Sequence, residues 1–242
     1  MRGSVFLFLI FLSLTGNAQF NDSVFNYVRF STTGILNNTN DKKSFVLTNA
    51  LAYTLEKNKI SLSSSHNYVY GKQGGEVINN DYTTSLNMDI LKNTHKIYYW
   101  GLMNYTTSKS LNIFNQFQGG AGLGWNVVNN DRINIVITDG IMYETSQILN
   151  TDKMREHYNT WRNSLRIKHA WNITQDLSLE GSHFWQPSLE DGHDYIIRSS
   201  AALNFQLKRW LRFTAGLTYN KISRTDRENL ILNIGLTAAG YF

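Results

Sequence analysis

The sequence predicts an all-β chain that forms one transmembrane antiparallel barrel of about 12 strands, of the kind that crosses bacterial outer membranes. Three observations support this prediction. Apolar and polar residues alternate in segments of about 8 to 14 residues, which is typical of strands with one buried face. The longest apolar run, Val5–Leu12, is far shorter than the ~20 residues of a spanning helix. Short and longer connections also alternate along the chain.

Composition excludes several classes of protein. The 242 residues contain no Cys, which excludes a disulfide scaffold, a thiolate zinc site, an iron–sulfur cluster and a thiol nucleophile. A hydrophobic content of 42% excludes a disordered chain. The 23 basic and 18 acidic residues give a net charge of +5 that is spread thinly, so no nucleic-acid partner is expected.

Residues Met1–Ala18 have the pattern of a secretory signal peptide. Arg2 provides the basic start, Val5–Leu14 the apolar stretch, and Gly16 and Ala18 the small residues before a cleavage site. We therefore expect an exported protein whose mature chain is located in the outer membrane.

The rest of the chain, residues 19–242, is predicted to form a single barrel domain. Alternation is clearest at its end, where every second residue from Leu230 to Phe242 is apolar or small and shares one face. The twelve predicted strands are residues 27–36, 44–56, 59–70, 81–92, 95–108, 113–128, 132–144, 157–172, 176–187, 193–206, 211–219 and 229–242.

The connections predict how the barrel is oriented. Those after even-numbered strands are short, whereas those after odd-numbered strands are longer, including 71–80 and 145–156. Outer-membrane barrels have short periplasmic turns and longer extracellular loops, so both termini are predicted to be periplasmic. A β-sandwich would not explain this alternation, and its core would rarely contain so many Gly, Thr and Asn residues.

Aromatic residues support the same orientation, because they cluster near both predicted ends of the strands, where girdles are expected. The terminal Phe242 resembles the C-terminal signature of barrels that the assembly machinery recognises. We therefore expect the barrel-assembly machinery, outer-membrane lipid and lipopolysaccharide as partners.

Three segments carry a resemblance to a known family. These are the glycine-rich strand Phe117–Trp125, the turn Asn130–Arg132 and the strand end Gly140–Glu144. Together they resemble the YdiY-like, salt-induced outer-membrane protein family, a domain of unknown function. The resemblance covers about residues 34–242 and implies an outer-membrane location without a catalytic set.

One early motif only partly fits that family. Residues Asn37–Asn40 resemble its Gly-Asn-Thr turn, but Asn37 occupies the position of the Gly. The Ala18–Gln19 junction and the 28 Asn residues also resemble proteins of Bacteroidota.

If the apolar face points to lipid, ten charged side chains point into the lumen. Five of them form a predicted basic wall, and we expect Lys168 to pair with Glu180 on the next strand. The basic wall consists of Arg162, Arg166, Lys168, Arg198 and Arg212.

Two interpretations of this interior remain open. A narrow channel would use the basic wall to attract small hydrophilic solutes, including anions. Alternatively, ion pairs would close the lumen and make the barrel a structural or partner-docking protein of the envelope, with loops 71–80 and 145–156 as its contact surface.

A third interpretation is a lipid hydrolase. The alternation turns His183 outward, the hairpin register allows Ser199 beside it, and Asn163 is placed one strand away as the polar residue that orients the histidine. No lipase-type motif surrounds them, so our leading expectation is a protein without enzymatic activity. No cofactor fingerprint or metal-ligand spacing occurs, and Glu190–Asp194 is interpreted as a polar turn.

Overall fold

The computed structural model describes residues 24–38, 43–92 and 95–241. The predicted leader, Met1–Ala18, and Phe242 lie outside the described residues. Twelve strands follow one another around the barrel: β1 Val24–Asn38, β2 Lys43–Lys57, β3 Ile60–Gln73, β4 Glu76–Ile90, β5 Ile97–Ser108, β6 Ile113–Asn129, β7 Ile133–Leu149, β8 in two segments Arg155–Asn163 and Leu165–Asn172, β9 Leu177–Pro187, β10 Tyr195–Lys208, β11 Leu211–Ile222 and β12 Arg227–Tyr241. Among the described residues no helix is long and apolar enough to cross a membrane.

The sheet closes on itself. Each strand pairs antiparallel with the next, and β1 pairs with β12 from Tyr27 opposite Tyr241 to Gly34 opposite Ile234. Closure pairs the two edge strands with each other, which a sheet surrounded by lipid requires. The predicted all-β, antiparallel barrel of about 12 strands is confirmed.

The two faces of the wall have opposite chemistry. Large apolar side chains are exposed on the outer face, whereas polar and charged side chains are buried inside. On β12, for example, Leu230, Leu232, Ile234 and Leu236 are all exposed. On the inner face of β6 and β7, by contrast, Gln116, Gln118 and Glu144 are fully buried. This inverted arrangement is typical of a barrel whose outer face contacts lipid.

We call the end of the barrel that holds Val24 and Tyr241 the terminal end, and the opposite end the distal end. At the distal end the strands run further than the alternation predicts. The predicted loop 71–80 consists of strand apart from a turn at Gly74–Gly75, where both residues have positive φ. Likewise, the predicted loop 145–156 is reduced to residues 150–154. Beyond the lipid a strand needs no apolar face, so polar residues continue the ladder without an alternating pattern.

Strand β8 is interrupted at Ser164. The register with β7 is the same on both sides of the interruption, so the pairing does not slip. On one side Ser164 N still donates to Gly140 O at 2.8 Å. On the other side Pro187 has no N–H to donate to β8. There Arg162 Nη1 donates to Gln186 O at 3.2 Å, so a side chain also links the two strands.

Candidate functional site

The distal half of the lumen contains a buried ionic network, which we call the distal network: Glu144, Glu156, Arg162, Asp194 and Arg224. Arg162 is fully buried between Glu144, at 2.7 Å from Nε, and Asp194, at 2.9 Å from Nη2. Arg224, from the turn after β11, donates to Asp194 at 2.6 Å and to Glu156 at 2.9 Å. Two cations and three carboxylates therefore join β7, β8 and two distal connections.

Further side chains complete the hydrogen bonding of Glu144. Tyr158 Oη–H donates to it at 2.5 Å, Gln118 Nε2 at 2.7 Å and Gln116 Nε2 at 3.1 Å. Buried charges are tolerated when paired and hydrogen-bonded in this way. In the turn, burial alone would lower the pKa of Arg224, but the hydrogen bond and charge of Asp194 outweigh it and raise that pKa.

An aromatic pair fills the lumen beside β6 and β7. Tyr98 and Trp100 on β5 lie against glycines of the neighbouring strands, where a Cβ on Gly124 would lie 2.2 Å from the Tyr98 ring. A Cβ on Gly140 would similarly lie 2.6 Å from the Trp100 ring, and Trp100 Nε1 donates to Leu123 O at 3.1 Å. Glycines of β6 and β7 therefore provide the space that these rings occupy.

Some positions of the inner face remain exposed. Ser65 on β3 and Ser200 on β10 lie on the inner face and are nevertheless exposed. Arg29 on β1 donates to Glu180 on β9 at 2.9 Å, and about two fifths of each side chain is exposed. A cavity of about 250 Å³ includes Arg198 and Ser200 in its lining.

The residues of the predicted basic wall have different surroundings. Arg198 donates to Gln116 at 2.6 Å and to Gln118 at 3.0 Å on the facing strand β6. Arg166 donates to Thr138 at 3.1 Å and to Asn87 at 3.4 Å, whereas Arg212 donates to Gln206 at 3.0 Å. Among the described residues no carboxylate lies within 4.0 Å of Arg166, Lys168, Arg198 or Arg212.

Two expectations about the interior need correction. Arg162 does not line open space, because it is fully buried and neutralised within the distal network, and Arg166 is buried as well. The predicted Lys168–Glu180 pair does not form. The register places Glu180 opposite Ala170, two residues along β8 from Lys168, and Glu180 turns instead to Arg29 across the lumen.

The outer wall brings together a serine and two histidines. His183 Nδ1 lies 2.6 Å from Ser199 Oγ, and His183 Nε2 lies 3.2 Å from His169 Nε2. Asn163, the predicted orienting residue, instead donates to Asp139 at 2.8 Å. His169 was missed because it lies diagonally across the strand pair, and its one sequence signal was the glycine opposite it, Gly181.

Metal-ligating groups do not cluster in the described part of the chain, where no three His, Asp or Glu side chains could hold one ion. In the predicted polar turn Glu190–Asp194, Asp194 belongs to the distal network and Asp191 accepts a hydrogen bond from His193 N at 2.9 Å.

The family of the chain follows from its sequence as a whole. The sequence model described as "Protein of unknown function, DUF481" matches residues 13–233. The chain belongs to this family. The prediction of a family whose function is unknown is thereby confirmed. No curated protein matches the chain.

Solved structures with similar folds are outer-membrane barrels. The NanC porin has a TM-score of 0.54 at 13% identity, with 88% of this chain and 98% of the porin covered. The KdgM porin has a TM-score of 0.45 at 11% identity, covering 89% and 98%. The translocator domain of the autotransporter NalP from Neisseria meningitidis has a TM-score of 0.49 at 11% identity, covering 89% and 88%. The NanC likeness identifies the fold as a porin-like outer-membrane barrel.

Proposed function

We propose that the protein is a narrow outer-membrane channel for small hydrophilic solutes, with a preference for anions. One observation carries this proposal: among the described residues no carboxylate lies within 4.0 Å of the inward-facing cations Lys168, Arg198 and Arg212. Positive charge without a close counter-ion in a confined aqueous space attracts anions and repels cations.

The geometry also supports a path for water. Ser65 on β3 and Ser200 on β10 are on the inner face and exposed, which supports access of water to part of the lumen. This path is constricted where Arg29 reaches Glu180 and where Arg198 reaches β6. A passage of this kind would admit ions and small solutes and exclude large ones.

The test is the single-channel conductance and reversal potential of the refolded mature chain in a planar bilayer with a KCl gradient. We expect small openings with anion preference. Replacing Lys168, Arg198 and Arg212 by Gln should move the reversal potential toward the cation side. In the matched control K43Q/K109Q/K153Q, the same charge is removed from exposed positions at the distal rim, where salt screens it. An unchanged reversal potential in the first variant would contradict the proposal.

The second candidate is a closed barrel with a structural or partner-docking role in the envelope. Hydrogen bonds that cross the lumen favour it, as does the distal network, in which Glu144, Arg162 and Asp194 are buried. A folded, heat-modifiable barrel that never conducts would support this candidate over the channel.

Location and partners complete the proposal. The leader Met1–Ala18 would direct export, and the last strand, ending at Phe242, would be recognised by the barrel-assembly machinery. The exposed apolar belt supports contact with outer-membrane lipid and lipopolysaccharide.

A further inference from the structure

We propose that Ser199, His183 and His169 form an ester-hydrolysing site on the outer wall, with the acyl esters of membrane lipids as its substrates. The three residues form a continuous chain of contacts on adjacent strands, at 2.6 Å between Ser199 Oγ and His183 Nδ1 and 3.2 Å between the two imidazoles. A hydroxyl within hydrogen-bond distance of an imidazole that a third group orients is the arrangement of an activated nucleophile.

The sheet register builds this arrangement. His183 on β9 lies directly opposite Ser199 on β10, while His169 on β8 lies opposite Gly181. A Cβ on Gly181 would lie only 2.4 Å from His169 Nε2. The missing side chain at this position therefore lets the His169 ring lie over β9 and reach His183. The two rings stack with their centroids 5.3 Å apart.

Polar groups at these positions are not needed to build the wall. The lipid-facing neighbours of His183 include Ile167 opposite it on β8 and Trp185 two residues along β9, and both are exposed apolar residues. Polar side chains in a lipid-facing wall are costly and are found mainly where they have a function.

The depth of the site suits an ester bond. Trp185 lies about 7 Å along the strand from His183, and Tyr219 is opposite Ser199 on β11. Amphipathic aromatic side chains of this kind mark the boundary between headgroups and acyl chains, where the ester linkages of lipids also lie. The site would therefore meet both its substrate and water.

The chemistry balances with water as the co-reactant. Ser199 Oγ attacks the ester carbonyl while its proton passes to His183 Nδ1, and that proton then leaves with the alcohol when the ester C–O bond breaks. Water, deprotonated by His183, attacks the acyl-serine ester, which releases the fatty acid and restores the hydroxyl. His169 is a positioning residue that accepts from the Nε2–H of His183.

A second hydroxyl–imidazole contact provides a matched control. Ser64 Oγ lies 3.2 Å from His66 Nε2, also on the outer wall. The remaining nitrogen of that ring, Nδ1, is in contact with the hydroxyl groups of Tyr82 and Thr84, both at 3.0 Å, and not with a second imidazole. The Ser64 contact is also longer, at 3.2 Å against 2.6 Å for Ser199 with His183, so we expect no nucleophile there.

The test uses the full mature barrel in detergent micelles with an alkyl fluorophosphonate probe, and 4-nitrophenyl laurate for turnover. We expect the probe to label Ser199, identified by the mass of its peptide. Labelling should disappear in S199A, fall by about 100-fold or more in H183N and remain unchanged in S64A. H169N should slow labelling about tenfold and alter its pH dependence, which a purely structural role would leave unchanged.

The proposal is overturned if the folded wild-type barrel is not labelled at Ser199. It is also overturned if S199A hydrolyses the laurate ester as fast as the wild type and the S64A control do. Heat-modifiability on gels establishes that each variant is folded, so loss of labelling in a folded H183N barrel supports the assignment and unchanged labelling contradicts it.

Discussion

Arg29 on β1 donates to Glu180 on β9, four strands away around the wall. In a circular barrel of twelve strands the two backbones would lie roughly 21 Å apart, from a strand spacing of ~4.8 Å and a tilt of ~40°. The combined length of the two extended side chains and their hydrogen bond is less than this backbone separation. The cross-section of the barrel is therefore flattened here. Contacts between Arg198 and Gln116, and between Arg166 and Asn87, also join distant strands.

The first prediction concerns this constriction. Replacing Arg29 by Ala removes the contact with Glu180 and should raise the single-channel conductance. Because the pair is partly exposed, stability should change by less than about 1 kcal/mol. In the control K221A, the rim pair with Glu228 is lost and conductance should stay at the wild-type value. Equal conductance in R29A and wild type would show that this contact does not limit the path.

The second prediction concerns the distal network. Replacing Arg162 by Met leaves Glu144 and Asp194 buried without their shared cation. We expect a loss of about 3–5 kcal/mol, measured by urea unfolding of the barrel in detergent. R155M is the control, because Arg155 is exposed and lies 4.3 Å from the Phe114 ring. If the two variants unfold at the same urea concentration, the network is not a major source of stability.

The third prediction concerns the glycines under the aromatic pair. G124A would place a methyl group where the Tyr98 ring lies, and overpacking of this kind costs about 1–3 kcal/mol. G119A lies on the same strand, where the new methyl group would approach only the Phe117 ring, at 3.5 Å. We expect a lower thermal transition for G124A and a nearly unchanged one for G119A. The reverse order would contradict the packing described above.

The fourth prediction concerns pH. The pKa of Arg224 is raised above that of an ordinary guanidinium, so its contribution to stability is complete throughout the neutral range and is lost only at strongly alkaline pH. R224Q should therefore lower the urea midpoint by the same amount at about pH 6 and about pH 9. A difference that shrinks between these values would mean that Arg224 loses its proton in this range.

Most of the fold could be predicted from the sequence, because one face of each strand meets lipid. That requirement imposes a period of two, and the period locates strands such as Ile113–Asn129 to within one residue of the predicted 113–128. It gives no information beyond the lipid, where Gly71–Gln73 and Glu76–Asn80 pair through their backbones without an apolar face.

The alternation also indicates which side chains face inward, but not which of them meet. The pairing of Glu180 with Arg29 depends on the distance between β1 and β9 across the lumen, and no local sequence pattern encodes that distance. The same limit explains why the sequence predicts Asn163, and not His169, as the residue that orients His183. A strand pattern gives the face of a residue, whereas the diagonal contact depends on the register and on the space at Gly181.

The interruption at Ser164 affects how the cylinder is sealed. Elsewhere the wall is sealed by backbone amides, which almost any sequence provides. Between β8 and β9, where Pro187 cannot donate, side chains add links beside the gap: Arg162 donates to Gln186 O, and Gln186 Nε2 donates to Ser164 Oγ at 3.1 Å. The connection between these two strands therefore depends in part on the identity of particular amino acids. Arg162 thus connects the interior of the barrel to the integrity of its wall.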